Sequence, residues 1–522
     1  MARSTKHRSR KPGPLGPPSG PAKEPAPAID RSPTLVIVAA IVVVSSILLL
    51  WNLGDQRLWQ DEANTALVSR TILTHGVPLG HDGVNSFSQE LGAEFGPDHV
   101  YKWHPWLPFY LLAAFFRIFG VGTWTARLPF ALLGIGSTVL IYFLGLALFR
   151  RKRTAIAAAA LLIFSVPFLL LSRQCRYYSP AMFLSLLGLW GYASGRLRWV
   201  LAPASVLLFY TQNIYFLSLW ATVLLHALWF KHERRKELLL LFGLSTAGCV
   251  PWLVYTLGLS YQKLYPGMYS AAQFLRYTGP YLTQIRTQLF SPLLLLVPIA
   301  LAIVRAVGKK PRAARDPERW KSLALLTIYL VVSYLVLCEF SIAPYFRYLG
   351  PLIPLFCLVI AVILEGLTAI HPLAFPAAVV LVILSGSITS YFYEITHTFN
   401  GPVKGITDYL ADHGRPTDTV AVTYGDLPIK FYTQMRVVGG LAGDDLSIAS
   451  NADWIILRKH IICAKDLEVA RYLQRTVNWQ NYVPVTIDAP DTVFENREDP
   501  ALHLFRSNTT EGKVVIWRRK GS

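Results

Sequence analysis

The stretch LPFALLGIGSTVLIYFLGLALF occupies positions 128–149 and runs directly into Arg150-Arg151-Lys152-Arg153. It carries no charged side chain, and a helix needs about 20 apolar residues to cross a bilayer's hydrocarbon. Four cations at its C-terminal end place that end in the cytoplasm, because short cytoplasmic loops are enriched in Lys and Arg. Apolar runs of this kind recur over the first three quarters of the chain. Hydrophobic types make up 53% of the 522 residues and charged types only 16%, against about 25% charged in a soluble domain. The chain reads as a polytopic α-helical membrane protein.

The net charge of +19 raises the question of nucleic-acid binding, which its distribution answers. From Glu394 onward there are 15 Lys+Arg against 16 Asp+Glu, so the excess lies upstream. There it gathers at span ends: Arg150 to Arg153, Arg196 and Arg198, Lys231 to Lys236, and Lys309 to Lys321. That is the signature of cytoplasmic loops, and no nucleic-acid partner is expected. The five cysteines (Cys175, Cys249, Cys338, Cys357, Cys463) show neither zinc spacing nor a disulfide framework. Residues 1–33 are Pro-rich and basic, and read as a disordered cytoplasmic tail leading into an uncleaved signal anchor.

Alternating the basic clusters from side to side gives eleven crossings, and about 11–13 transmembrane helices are expected. The first, Thr34 to Leu53, leaves the cytoplasm and opens a long outer loop over residues 54–105. Trp106 to Phe119 is short for a span and reads as interfacial or re-entrant. The membrane domain ends near residue 393. Residues 394–522 alternate β-rich runs (Thr419–Thr423, Trp454–Leu457, Val483–Ile487, Val514–Trp517) with helical stretches such as Lys465–Gln474, as a soluble extracytoplasmic α/β domain would. Tyr424-Gly425-Asp426 is a turn without phosphate-cradling spacing, and Asn508-Thr509-Thr510 fits a glycosylation sequon.

Three polar constellations fall on the outer face of this topology. In Trp59-Gln60-Asp61-Glu62-Ala63, the adjacent carboxylates suit a general base that deprotonates an acceptor hydroxyl. They also suit a helix start, where acids favour the dipole. In Lys102-Trp103-His104-Pro105, the lysine can snorkel or meet a lipid phosphate. In Ser172-Arg173-Gln174-Cys175-Arg176-Tyr177-Tyr178, two outer-face arginines break the positive-inside trend, as does Arg347 in Tyr345-Phe346-Arg347-Tyr348. Guanidinium forks pair bidentately with phosphate. Arg276 and Arg286, in the outer stretch from Leu257 to Gln288, extend that inference more thinly, as does His104. The spans hold no Asp, Lys or Arg, and Glu365 is their one acid, so chemistry at one face fits better than passage through the membrane.

These motifs, taken in order with a long first outer loop, many spans and a soluble outer domain, resemble the polyprenyl-phosphate-dependent glycosyltransferases of the C-type fold. The likeness extends to the lipid A aminoarabinose transferase and the protein O-mannosyltransferase group. It rests on Leu58 through Asp61-Glu62 to Leu73, on Lys102-x-x-Pro105, on Ser172 to Tyr177 and on Arg347-Tyr348-Leu349-Gly350-Pro351. The resemblance implies that Asp61, with Glu62 as neighbour or substitute, is the catalytic carboxylate and that Lys102 approaches the donor phosphate. Arg173, Arg176, Arg347, Tyr177 and Tyr345 then complete the phosphate site. Gln60 stands where the aminoarabinose transferases have proline, and Tyr101 where they have glutamate. The second departure weakens any metal site there and argues against assuming a lipid A acceptor.

The function expected is an inner-membrane glycosyltransferase, N-terminus in the cytoplasm, moving a sugar with inversion from a polyprenyl-phosphate donor to a lipid, protein or glycan acceptor. A transferase or polymerase of larger lipid-linked glycans would use a similar pocket. A flippase or transporter of a lipid-linked sugar is the alternative from another class, and it needs no base. No motif indicates a cofactor, and a divalent cation stays open.

Overall fold

The computed structural model describes residues 31–257, 269–306, 317–398, 400–459, 464–492, 503 and 512–521. The expected N-terminal tail through residue 30, Cys463 and the Asn508 sequon lie outside them.

The opening stretch is the core of α4 (Thr123–Phe149), a 27-residue helix. At about 1.5 Å per residue, the 22 steps from Arg127 to Phe149 cover about 33 Å, the depth of a hydrocarbon core. Against it pack α1 (Arg31–Leu50), α5 (Lys152–Ile163) and α7 (Tyr178–Ala193). Close approach depends on small residues: a Cβ added at Gly134 would stand 2.8 Å from the Ser172 Cβ.

Among the described residues five unbroken helices are long and apolar enough to cross a membrane, or up to eight if each of three bent pairs is one span. Three apolar helices, Thr34–Leu50, Leu107–Phe119 and Leu197–Phe209, are shorter. The eleven crossings expected from the sequence exceed eight, and some of them fall on short or broken helices. One break has a clear cause. The α5 helix and α6 (Val166–Ser172) meet at 64° around Phe164-Ser165, where Pro167 lacks the backbone donor that a continuous helix would bond to Ile163 and its ring would clash with that carbonyl. That bend brings residues 173–177 up to the start of α2 (Gln60–His75).

The segment 54–105 is more ordered than a polar loop needs to be. It contains α2, buried over most of its length, and isolated bridges pairing Leu79 with Val100, His81 with Ser86 and Phe95 with Tyr101. The apolar Trp106–Phe119 segment is helix α3 (Leu107–Phe119), packed on α2 and α4.

After the last membrane-domain helix the chain forms a five-stranded sheet of order β2-β1-β3-β5-β4. Strand β1 (Thr419–Val422) runs parallel to β2 (Arg436–Gly439) and β3 (Trp454–Ile456), while β5 (Lys513–Arg519) is antiparallel to β3 and to β4 (Tyr482–Pro490). Four of these were legible as alternating apolar runs. The β2 strand, Arg436–Gly439, has two apolar residues between an arginine and a glycine, too few to stand out as an apolar run. The short helix Asp426–Tyr432 connects β1 to β2 and packs against α2. Gly425 opens it at φ 87°, a left-handed conformation that glycine adopts without penalty.

Candidate active site

Helix α2 begins with acids because its first amide groups have no intrahelical acceptor. Glu62 answers this by accepting from the Trp59 amide at 3.4 Å, and both acids sit at the favourable end of the helix dipole. From that shared start the two carboxylates diverge.

Glu62 turns inward and is fully buried. Arg127 grips it as a fork, Nε to Oε1 at 2.8 Å and Nη2 to Oε2 at 2.6 Å. The Cys175 amide adds a third bond at 2.8 Å. Arg127 spends its other donors on the carbonyls of Leu53, Gln56 and Arg57. One guanidinium thus joins α4, the chain after α1 and the start of α2, and through Glu62 the 173–177 turn. The expectation that Glu62 shares the catalytic role meets this obstacle: neither oxygen faces open space. Sequence reasoning passed over Arg127, whose only signal was a cation inside the first turn of an otherwise charge-free helix.

Asp61 turns the other way. Its Oδ2 lies 2.9 Å from Arg347 Nη1 and 3.7 Å from Arg176 Nη2. Arg176 is anchored to α2 through the Asp61 carbonyl at 3.2 Å and Thr65 Oγ1 at 3.0 Å. Its Nε is buried with no hydrogen-bond acceptor among the described residues. Burial works to lower the Arg176 pKa, yet Asp61 and the neighbouring Tyr178 and Tyr177 hold it above the usual arginine value. Arg347 lies over the Tyr345 ring at 4.3 Å.

These groups line one cavity of about 330 Å³, together with His104, Tyr177, Tyr345 and the rings of Trp59, Trp103 and Tyr348. The His104 pKa falls well below the usual histidine value, through burial first and then through Arg176 and Arg347. A second cavity of about 280 Å³ shares Trp103, His104, Ile342 and Tyr348 with the first and continues past Phe209, Phe216, Leu217 and Trp252. A polar chamber lined by Arg176 and Arg347 as well as Asp61, Glu90 and Glu94 therefore opens onto an apolar groove between helices.

Glu94 also lines the first cavity. It accepts from the Ser88 hydroxyl and from the amides of Gln89 and Glu90, and burial outweighs these bonds to push its pKa up. In the sequence it is one more acid in a polar loop. Tyr424 and Leu441 reach the same cavity from the C-terminal domain. Gln60 binds that domain directly, donating to Asp426 Oδ1 at 2.8 Å. Asp426 in turn holds the fully buried Lys430 at 2.8 Å.

Four cations proposed from the sequence lie outside the cavity lining. Lys102 reaches toward Asp98 at 3.4 Å and sits 4.9 Å from the Tyr255 ring centre. Arg173 caps α1, donating to the carbonyls of Leu48, Leu49, Trp51 and Asn52, where the last turn of a helix leaves acceptors unused. Arg276 lies over the adjacent Tyr277 ring, and Arg286 sits in the helical turn Ile285–Leu289. It is Gln284, two positions before Arg286, that lines the cavity. Among the described residues no three His, Cys, Asp or Glu side chains converge to hold a metal ion.

Residues 103–255, under a third of the chain, match the family model described as dolichyl-phosphate-mannose-protein mannosyltransferase. Among solved structures, ArnT from Cupriavidus metallidurans bound to undecaprenyl phosphate is similar, with a TM-score of 0.56 and 14% identity over 94% of this chain and 99% of that one. The same protein in the apo state gives a TM-score of 0.49 and 15% identity over 94% and 98%. The oligosaccharyltransferase of Archaeoglobus fulgidus, tethered with an acceptor peptide containing the NVT sequon, gives 0.46 and 12% over 88% and 69%. No curated protein matches the chain. The undecaprenyl-phosphate-bound structure shows that the chain has the C-type glycosyltransferase fold, as the sequence motifs implied.

Proposed function

We propose that this chain is a membrane glycosyltransferase that moves a sugar from a polyprenyl-phosphate donor to an acceptor hydroxyl in one inverting displacement. The observation that carries the proposal is the Asp61 carboxylate set against Arg347 and Arg176 in a polar chamber that opens onto an apolar groove. The groove takes the first prenyl units and the chamber takes the phosphate and sugar, whose apolar faces stack on the aromatic walls. The ArnT structure with undecaprenyl phosphate makes a lipid phosphate the natural ligand class to test.

Donor phosphate competes with Asp61 for the two arginines. As Arg347 and Arg176 turn to the phosphate, Asp61 is released to accept the acceptor's proton. The acceptor oxygen then bonds to the anomeric carbon from the face opposite the phosphate. The bond from carbon to phosphate oxygen breaks, and its electron pair leaves with the lipid. A diester with one negative charge becomes a monoester approaching two, and the arginines stabilise that added charge. A single displacement inverts the anomeric centre, by the same logic as inverting glycosidases.

Three parts follow from this reading: a cytoplasmic tail at residues 1–33, a membrane domain at 34–393 and an extracytoplasmic domain at 394–522. The last covers the acceptor side through Tyr424 and Leu441. The protein sits in the inner membrane with its N-terminus in the cytoplasm. Incubating the purified chain with labelled polyprenyl-phosphate sugars and membrane extract tests the activity. Label should pass to a lipid, protein or glycan acceptor. Label that only changes leaflet in reconstituted vesicles would favour the flippase alternative and contradict the proposal.

A further inference from the structure

A third cavity, of about 360 Å³, lies at the opposite end of the helices that build the active site. Three of them make the connection. Helix α4 carries Arg127 at one end and Leu148 and Phe149 at the other, and the helix Asn213–Phe230 runs from the apolar groove at Asn213 to Phe230. The 24-residue helix Pro317–Phe340 runs from Arg319 and Lys321 to Phe340 in the groove. The separation along α4, about 33 Å, is a bilayer's hydrocarbon thickness.

Five cations line this cavity, Arg150, Arg151, Lys231, Arg319 and Lys321, against three carboxylates. Glu365, only 3% exposed, holds Arg151 at 3.0 Å and Arg319 at 3.8 Å, and Glu318 holds Lys321 at 2.8 Å. Arg150 and Lys231 have no carboxylate within ion-pair distance among the described residues. Lys231 lies 4.3 Å over the Tyr192 ring, and burial together with Arg234 pulls its pKa down. Leu148, Phe149 and Phe230 form an apolar wall beneath the cations. Beside the rim, Trp229 is 64% exposed and Trp320 67% exposed. Exposed tryptophan at helix ends marks headgroup depth.

We propose that this cavity binds the phosphate headgroup of an anionic phospholipid from the cytoplasmic leaflet. Arg150 and Lys231 meet the phosphate, and the acyl chains run along Phe230 and Leu148. Basic pockets between helix ends on the cytoplasmic side take such headgroups. A free phosphate would match the cations but leave the apolar wall and the tryptophan belt without a role. The site is separate from the donor chamber and does not depend on the reaction assigned there.

The test titrates the full chain, purified in detergent, with phosphatidylglycerol and reads bound lipid by native mass spectrometry. A saturable site should weaken about fivefold for each cation removed in Arg150→Gln and Lys231→Gln, or ~1 kcal/mol each. Lys231→Arg should keep the affinity, and thermal unfolding of each variant confirms that the fold is intact. Equal binding of phosphatidylcholine, or affinity unchanged in the double glutamine variant, would overturn the proposal. Displacement of the lipid by inorganic phosphate at matching concentration would overturn it too, by assigning the cavity to free phosphate.

Discussion

Asp61 Oδ2 and Arg347 Nη1 meet at 2.9 Å across 286 positions of sequence. The pair fastens the first turn of α2 to the chain that leads into the helix Ile353–Glu365, and both of its members face the chamber. Charge-assisted bonds of this type can be exchanged for others of equal kind at little cost. An incoming phosphate can therefore take the arginine and liberate the carboxylate in the same movement.

Removing the phosphate partners should affect donor binding before chemistry. Arg347→Gln and Arg176→Gln should each weaken donor binding about 10- to 100-fold, from ~1.5–3 kcal/mol per bond to a charged group. Arg173→Gln should leave donor affinity unchanged and instead lower the unfolding temperature, because it uncaps α1. Equilibrium binding of a labelled donor, alongside thermal unfolding, separates the two outcomes.

The Glu62–Arg127 fork should matter for folding. Breaking a buried pair from one side strands a charge and costs about 3–5 kcal/mol. Glu62→Gln or Arg127→Met should therefore reduce the yield and unfolding temperature of purified protein. The double variant Glu62→Leu with Arg127→Met should recover part of the loss, since no charge is left unpaired. A stable but inactive Glu62→Gln protein would return Glu62 to the catalytic role.

His104 supplies a pH dependence with two signs. Its pKa is depressed in the folded chain by burial and then by Arg176 and Arg347. As pH falls through the usual histidine value of about 6.5, the unfolded chain takes up the proton first, so stability drops. A bound phosphodiester favours the charged ring, so donor binding should take up a proton and tighten over the same range. A sugar-phosphate diester has no second ionisation there, so His104 and, toward the acid end, the raised Glu94 are the chamber groups that titrate. Unfolding temperatures and donor dissociation constants measured against pH should show opposite slopes, and His104→Gln should remove most of the binding slope and lessen the unfolding slope, to which His81, also lowered by burial, still contributes.

The C-terminal domain should act on the acceptor. Tyr424→Ala should raise the acceptor KM several-fold with donor affinity unmoved, because Tyr424 enters the chamber from that domain. Gln60→Ala removes the 2.8 Å bond to Asp426 and should cost ~1.5–3 kcal/mol, as a hydrogen bond to a charged group does. Steady-state kinetics with each substrate varied in turn would show the split.

Much of this was legible in the sequence because membranes impose strong rules. Charge-free runs ending in arginine clusters set out the spans, and outer-face cations that broke the rule pointed to Arg176 and Arg347. The rule could not rank those exceptions. Arg173 and Arg176 stand three positions apart with the same local chemistry, and only the bend at Phe164-Ser165 decides that one caps α1 while the other faces Asp61. Lys102 and His104 are separated by one residue, yet His104 lines the chamber and Lys102 turns to Asp98. Arg127 read as the edge of a span. The Gln60–Asp426 contact joins residues 366 positions apart, and no local pattern announces such a pair.

Single-turnover transfer by Asp61→Asn with donor already bound tests the assignment of the base most directly. Positioned general bases contribute about 10²- to 10⁴-fold to rate. The variant should bind the labelled polyprenyl-phosphate sugar at least as tightly as the parent chain, because the phosphate no longer competes with a carboxylate for Arg347 and Arg176, and transfer it slower by that factor. Transfer at the parent rate from a fully loaded Asp61→Asn site would contradict the catalytic role of Asp61.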